Sequence, residues 1–302
     1  MAASPTGDLV SVVIASYNMA QYLPRAVQSA LAQSYPQVEV LVVDDGSTDD
    51  TPAIMRQFDG EARVRAMRQP NGGQARARNQ GVAASRGQFV AFLDADDEWL
   101  PDKLARQMPL FGDRPGLGVV YSEFERMDAD GQPLPRGTPV RMHRGRVSGP
   151  LLIENFVSFQ TAVVRRECLE RYGAFDESVR MGDDYELFLR LSAHYEFDFV
   201  PEATIRYRIW PGQMSKNYRR RYEYGIRTMR TFLERHPGLV EPSVVRTAWA
   251  HTYKGRGDCA LWREQQWGAA FRDYLRALSF RPGYWPAWHS MLRSLITTRA
   301  PQ

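Results

Sequence analysis

Val42-Val43-Asp44-Asp45-Gly46-Ser47 closes an apolar run that begins at Val38, and Phe92-Leu93-Asp94-Ala95-Asp96-Asp97 closes another about fifty residues later. Continuous runs rich in β-branched residues, without polar alternation, are expected of strands covered on both faces. Residues 10–15 and 38–43 read as two such strands, and residues 62–67 and 88–93 as the third and fourth strands. Between them, residues 21–34 place Leu23, Val27, Ala30 and Leu31 on one helical face, and Thr51-Pro52 marks another helix start, Thr51 as N-cap and proline in the first turn. Strands alternating with helices predict an α/β fold with a parallel sheet. Parallel strands end along one edge, where open sheets bind ligands, so Asp45 and the acids at 94–97 are predicted to meet in space.

Farther along, Asp130-Gly131 predicts a hairpin, residues 160–164 another strand, and residues 184–194 a helix burying Leu187, Phe188 and Leu191. Helical spacing resumes at Tyr222 and continues to the end. The net charge of +4 hides an asymmetry: residues 1–214 hold 23 Lys/Arg against 29 Asp/Glu, and residues 215–302 hold 16 against 6, with five of the seven tryptophans. That shift places a domain boundary near residue 215. Two distant cysteines, Cys168 and Cys259, argue against a disulfide framework or a thiolate zinc site. With no apolar run of about 18 residues and no leader-like start, the expectation is a soluble, cytoplasmic chain.

The two acidic clusters, the intervening Asn71-Gly72-Gly73-Gln74-Ala75-Arg76-Ala77-Arg78-Asn79 and the later Gly182-Asp183-Asp184-Tyr185 occur in an order and spacing that resembles a family 2 glycosyltransferase. The resemblance covers residues 9–214. It implies a GT-A fold, Rossmann-like, with the helical remainder as a C-terminal extension, and an inverting enzyme that moves a sugar from a nucleoside diphosphate, UDP above all, to an acceptor hydroxyl. It assigns Ala15, Ser16 and Tyr17 to the nucleotide, with the Tyr17 ring against the base and Asp45 accepting a base N–H. Asp94 faces the ribose or the water shell of a divalent cation, Mn²⁺ or Mg²⁺, and Asp96 ligates that cation. Asp184 becomes the base that deprotonates the acceptor.

Each assignment has a plainer counterpart. Asp44-Asp45-Gly46-Ser47 can be a turn with capping carboxylates, Asp97 and Glu98 can cap a helix starting at Pro101, and Asp184 can be an N-cap whose basicity the helix lowers. Arg78 is a pocket residue or a buried partner of one of the aspartates, the Gly72-Gly73 amides can face phosphate, and Trp99 belongs to the core. The chain departs from the family at Ala15, where some members carry a polar residue, and at Trp210, before Pro211-Gly212, where relatives often carry a histidine; tryptophan cannot ligate a metal.

A nucleotide-sugar pyrophosphorylase is the competing enzyme class, but the glycine-rich basic loop it needs is missing from Ala15-Ser16-Tyr17-Asn18-Met19, as is the GxGxxG of a dehydrogenase. A non-catalytic nucleotide- or carbohydrate-binding module is the other alternative. Partners are a nucleotide-sugar donor and a carbohydrate, lipid-linked or protein acceptor, with no nucleic-acid motif. The basic tail reads first as a packed helical subdomain, including a helical hairpin across residues 267–282. Its second reading is a peripheral contact with the inner face of the membrane through Trp285, Trp288, Met291, Leu292, Leu295 and Ile296, flanked by Arg281, Arg293 and Arg299.

Overall fold

The computed structural model describes residues 8–137, 140–213 and 218–297, the side chains of 295–297 excepted. It divides into two compact units: Met1–Arg146 with Phe156–Gln213, and Val147–Asn155 with Met214–Gln302. The first contains a mixed sheet. Strands β1 (Val10–Ser16), β2 (Val38–Asp44), β3 (Val64–Arg68) and β4 (Phe89–Phe92) run parallel in the order β3-β2-β1-β4. Beyond β4 the sheet continues through β8 (Val163–Arg165), antiparallel to β4, then β6 (Leu117–Met127), β9 (Glu196–Arg208) and the short β5 (Glu98–Trp99). A β-ribbon off β6 ends in β7 (Pro133–Leu134), where Arg126 pairs with Leu134 around the predicted turn at Gly131.

Helices α1 (Leu23–Leu31), α2 (Thr51–Arg56) and α3 (Gln74–Ala84) connect the parallel strands, and α4 (Lys103–Phe111) follows β5. Leu23, Ala26, Val27 and Ala30 of α1 pack on Val10, Val12, Ile14, Val40 and Val42 in one core with Trp99. Each such aliphatic side chain contributes about 1.5–3 kcal/mol when fully buried. Asp97 and Glu98 do not cap α4, which starts two residues after Pro101; Glu98 is a strand residue paired with Arg206. Residues 159–161 form a 3-10 turn, so the strand expected at 160–164 is β8, three residues long. After α6 (Arg166–Tyr172), α7 (Asp183–Ser192) buries Leu187, Phe188 and Leu191 as the spacing implied.

In the second unit, α5 (Ser148–Ile153) packs with α9 (Pro242–Trp262) beside α8 (Tyr218–Arg235), α10 (Trp267–Phe280) and α11 (Trp285–Thr297). Tyr253, Tyr274, Ala277, Ala287 and Met291 centre its core. The composition shift at residue 215 gave no sign that α5 belongs here. Met291 is buried, whereas Trp285, Trp288 and Leu292 are exposed; the side chains of Leu295 and Ile296, and Arg299 altogether, lie outside the described residues. No described helix is long and apolar enough to cross a membrane.

Candidate active site

The carboxyl edge of the parallel strands gathers the predicted residues. Asp45 follows β2, its amide donating to Ser16 O at the end of β1 (2.8 Å). Its side chain is 3% exposed. Oδ1 accepts from Gln69 Nε2 (2.7 Å) and Gly72 N (2.9 Å), and Oδ2 from Gly73 N (2.8 Å). A carboxylate accepts about four hydrogen bonds, so Asp45 is aimed by its own loops with one acceptor direction left. The Gly72 and Gly73 amides, expected to face phosphate, are thus engaged by Asp45. Gly46 makes this closure possible: φ is +74°, and a Cβ there would lie 2.7 Å from Asn71 N. Asp44 caps the turn, Oδ1 accepting from Ser47 N (2.9 Å), with Arg68 Nε 3.1 Å from Oδ2.

Tyr17 projects from the loop after β1 and is 46% exposed. Beside it Asn18, with φ +54°, donates from its amide to Ser47 Oγ (2.8 Å) and accepts from Thr48 N on its side-chain oxygen (2.8 Å), which locks the two loops together. Ala15 is half-buried, and Ser16 is buried, its hydroxyl without a hydrogen-bond partner among the described residues.

Arg78 occupies the inward face of α3, 4% exposed, and bridges two acids: Nη1 to Asp183 Oδ2 and Nη2 to Asp94 Oδ1, both 2.8 Å. Its guanidinium lies 3.7 Å from the Phe159 ring centroid. Burial alone would lower the Arg78 pKa, but Asp183, Asp94 and Asp184 outweigh it and hold the cation. Asp94, with 32% of its side chain open, is pushed up to about 6, first by burial and then by Asp96 and Asp183, against the pull of Arg78. One arginine therefore faces a surplus of carboxylates.

Asp184 stands in the first turn of α7 with Asp183 and Glu186. The N-cap is Gly182, in the left-handed region and without a side-chain cap bond, so neither aspartate serves as the N-cap. Asp183 is buried against Arg78 and Asp184 is half-buried. Asn79 clasps the segment before α7, its Oδ1 accepting from Phe175 N (2.8 Å) and its Nδ2 donating to Phe175 O (2.9 Å). That pair ties Gly173–Glu177 in the sequence to the arginine helix.

The end of β9 holds the remaining acids. Arg208, fully buried, donates from Nε to Asp96 O (2.7 Å), from its amide to Asp97 Oδ1 (2.7 Å) and from Nη2 to Glu98 Oε1 (2.7 Å). Asp97 is pushed well above its ordinary value, chiefly by burial and then by Asp96 and Asp94. Trp210 Nε1 donates to Asp96 Oδ2 (2.8 Å). Sequence reasoning set Trp210 aside because it cannot ligate; the signal it overlooked is that an indole is a hydrogen-bond donor only, suited to face an acid. Arg78 is the buried partner of an aspartate, one of its two sequence readings, and what the sequence left open is that it pairs with both Asp94 and Asp183.

Asp96 Oδ1 accepts no hydrogen bond among the described residues, and no cluster of three or more His, Cys, Asp or Glu able to hold a metal occurs among them. One free carboxylate oxygen in an acid-rich setting fits a hard cation that takes its other ligands from substrate phosphates and water. Asp96 is the residue present that fits this group.

A family model described as Glycosyl transferase family 2 matches residues 11–173, more than half of the sequence. The chain belongs to that family. Among family 2 relatives, the succinoglycan biosynthesis protein ExoO of Rhizobium meliloti is 34% identical over 68% of this chain and 62% of its own length. An uncharacterized glycosyltransferase of Nostoc is 38% identical over 49% of this chain and 44% of its own. The chain thus spans less than two thirds of the length of these curated relatives. Among solved structures, S. aureus TarS 1-349 in complex with UDP-GlcNAc matches with a TM-score of 0.69 at 21% identity, covering 89% of this chain and 81% of TarS. The mannosyltransferase PcManGT of Pyrobaculum calidifontis, in complex with GDP-Man and Mn2+, matches with a TM-score of 0.58 at 20% identity over 97% of this chain and 86% of its own. The fold is that of the GT-A glycosyltransferases with C-terminal helices.

Proposed function

We propose that this glycosyltransferase inverts the anomeric centre of a UDP-sugar while transferring it to an acceptor hydroxyl, in the synthesis of a surface polysaccharide, glycan or glycolipid. The observation that carries the reading is the run of carboxylates along one sheet edge, with Asp94, Arg78 and Asp183 in direct contact and Asp184 close enough to act on the same guanidinium. The UDP-GlcNAc complex of TarS and the polysaccharide names of ExoO and of the Bacillus subtilis TuaG, a putative teichuronic acid biosynthesis glycosyltransferase, favour this donor and this product class.

Asp45, fixed by three donors, offers its last acceptor direction to the base N–H, and the open face of Tyr17 stacks on the ring. Stacking of this kind is worth about 1–3 kcal/mol per base. Asp94, oriented by Arg78, takes the ribose hydroxyls. Asp184 accepts the proton of the acceptor hydroxyl as its oxygen bonds to the anomeric carbon. The bond from that carbon to the diphosphate oxygen breaks on the opposite face, and the diphosphate leaves with the electron pair. A Mn²⁺ or Mg²⁺ ion at Asp96 would offset the charge that develops on the diphosphate. Catalysis is assigned to residues 1–214, with 215–302 as the extension; the exposed Trp285, Trp288 and Leu292 on a basic unit favour work at the inner face of a membrane on a lipid-linked or nascent carbohydrate acceptor.

The test is UDP release and sugar transfer across a panel of nucleotide sugars with Mn²⁺. Asp184→Asn is expected to lose about 10²–10⁴-fold in turnover while still binding UDP in a thermal-shift assay. Full transfer by Asp184→Asn would remove the base assignment, and UDP release undiminished in Asp96→Ala would remove the metal.

A further inference from the structure

Trp210 stands in the sequence where relatives often carry a histidine and does something different. Its indole is seated on two sides, and its backbone is tied to the turn that follows. The ring lies against the backbone of Gly212, where a Cβ would come within 2.1 Å of a ring carbon; Tyr22 packs at 5.8 Å between centroids; and the Trp210 amide faces Gln213 Oε1 at 3.3 Å. So held, Nε1 reaches Asp96 Oδ2 at 2.8 Å. Arg208 holds the chain beside that carboxylate, its Nε donating to the Asp96 carbonyl oxygen and its amide to Asp97 Oδ1. The Asp96 carboxylate torsion, otherwise broad, is then fixed by one neutral donor.

The choice of donor matters. A lysine or arginine there would neutralise Asp96 and weaken its hold on a cation, and a histidine could compete for the cation as a ligand. An indole N–H does neither. It occupies Oδ2, leaves the charge in place and leaves Oδ1 without a hydrogen bond among the described residues.

We propose that Trp210 is a positioning residue that makes Asp96 a one-oxygen ligand, so that the divalent cation enters only together with the diphosphate of the donor. The proposal rests on the assignment of the cation to Asp96. No described cluster supplies three ligands for a cation by itself, which leaves the rest of its coordination to donor phosphates and water. Partners that orient a metal ligand through a hydrogen bond are typically worth about 10- to 100-fold in metal affinity.

The experiment is Mn²⁺ uptake followed by the electron paramagnetic resonance signal of free Mn²⁺, with and without UDP and in the absence of turnover. The wild type is expected to bind Mn²⁺ with UDP and at least tenfold more weakly without it. Trp210→Phe keeps the ring and removes the N–H; with UDP its Mn²⁺ affinity should fall about 10- to 100-fold. Should Trp210→Phe fail to fold, Gly212→Ala decides in its place, because its methyl group displaces the indole without touching Asp96, and the same loss is expected. A third readout needs no variant. In wild-type protein labelled at its tryptophan indoles, substoichiometric Mn²⁺ with UDP should broaden one N–H signal well ahead of the other six. Wild-type protein that takes up no Mn²⁺ with UDP overturns the cation assignment and this proposal with it. Wild-type uptake that the decisive variant retains in full, or that is equally tight without UDP, overturns the role of Trp210 and leaves the cation at Asp96 standing.

Discussion

Glu39 at the amino edge of the parallel strands and the acids at 94–97 and 183–184 at the carboxyl edge use their carboxylates in opposite ways. At the amino edge, Glu39 of β2 takes Ser11 Oγ (2.6 Å) and Arg86 N (2.6 Å) on one oxygen and Arg65 Nη2 (3.0 Å) on the other, while Ser11 Oγ accepts from Gly87 N (2.8 Å). Burial pushes the Glu39 pKa up, but these donors outweigh it and hold the group below its ordinary value. At the carboxyl edge, Asp94, Asp96, Asp97, Asp183 and Asp184 share two buried arginines, and Asp94 and Asp97 are pushed up instead. The sheet is the same and the chemistry is reversed. A carboxylate that serves the fold is surrounded by donors, whereas a cluster kept short of positive charge stores an attraction for a cation or a proton and costs stability until one arrives.

The largest test of that contrast is Arg78→Met. It leaves two acids buried around a missing cation, and breaking a buried ion pair from one side typically costs about 3–5 kcal/mol. Urea denaturation at neutral pH should show a loss of that size. A smaller loss than at Glu39 would mean that the carboxyl edge is no more strained than the amino one. Glu39→Ala comes next, at about 1–3 kcal/mol, because it strands the Ser11, Arg86 and Arg65 donors. Its sign with pH follows from a folded pKa below the ordinary 4.5: the stabilisation is present above 4.5 and fades as pH drops through the folded value. Wild type and variant should therefore converge under acid.

What the sequence made legible follows the same division. Strands β1 and β2 announced themselves because buried parallel strands are unbroken apolar runs, and the turns that end them carry the acids, so the site's edge could be located. The hairpin at Gly131 was equally local. Helix α3 was harder: its buried face is Ala75, Ala77, Arg78 and Gly81, which has no apolar stripe for periodicity to find. Of the second half of the sheet only β8 and the ribbon off β6 were foreseen, because β9 returns beside β6 with repeated register shifts across some eighty residues, and nothing local encodes such a pairing. For the same reason Asp97 and Glu98 read as helix caps, and Asp96 showed no protein partner. Their partners, Arg208 and Trp210, lie more than a hundred residues away. In the tail, a stripe drawn on α11 by spacing alone mixed the buried Met291 with the exposed Trp285 and Trp288, since heptad position does not reveal which side a neighbouring helix covers.

The finest discriminator between the two edges is Asp94→Asn, because it should do the opposite of Glu39→Ala. Asparagine keeps an oxygen for Arg78 Nη2 and removes the charge. In the folded protein Asp94 sits at about 6 against an ordinary 3.8, so the charged form is disfavoured by folding. An isolated shift of that size corresponds to about 3 kcal/mol; with 32% of the side chain open to solvent, screening reduces it to about 1–2 kcal/mol. The sign runs opposite to that of Glu39. Below 3.8 the wild-type group is protonated both folded and unfolded and carries no penalty, which then grows as pH rises and is complete above about 6. Asp94→Asn should thus match the wild type near pH 3.5 and melt higher at pH 7.5, by about 2–8 °C, while losing donor affinity. A variant that melts lower at pH 7.5 would place Asp94 with Glu39 among the carboxylates that hold the fold, and the contrast between the two edges would then rest on Asp97 alone.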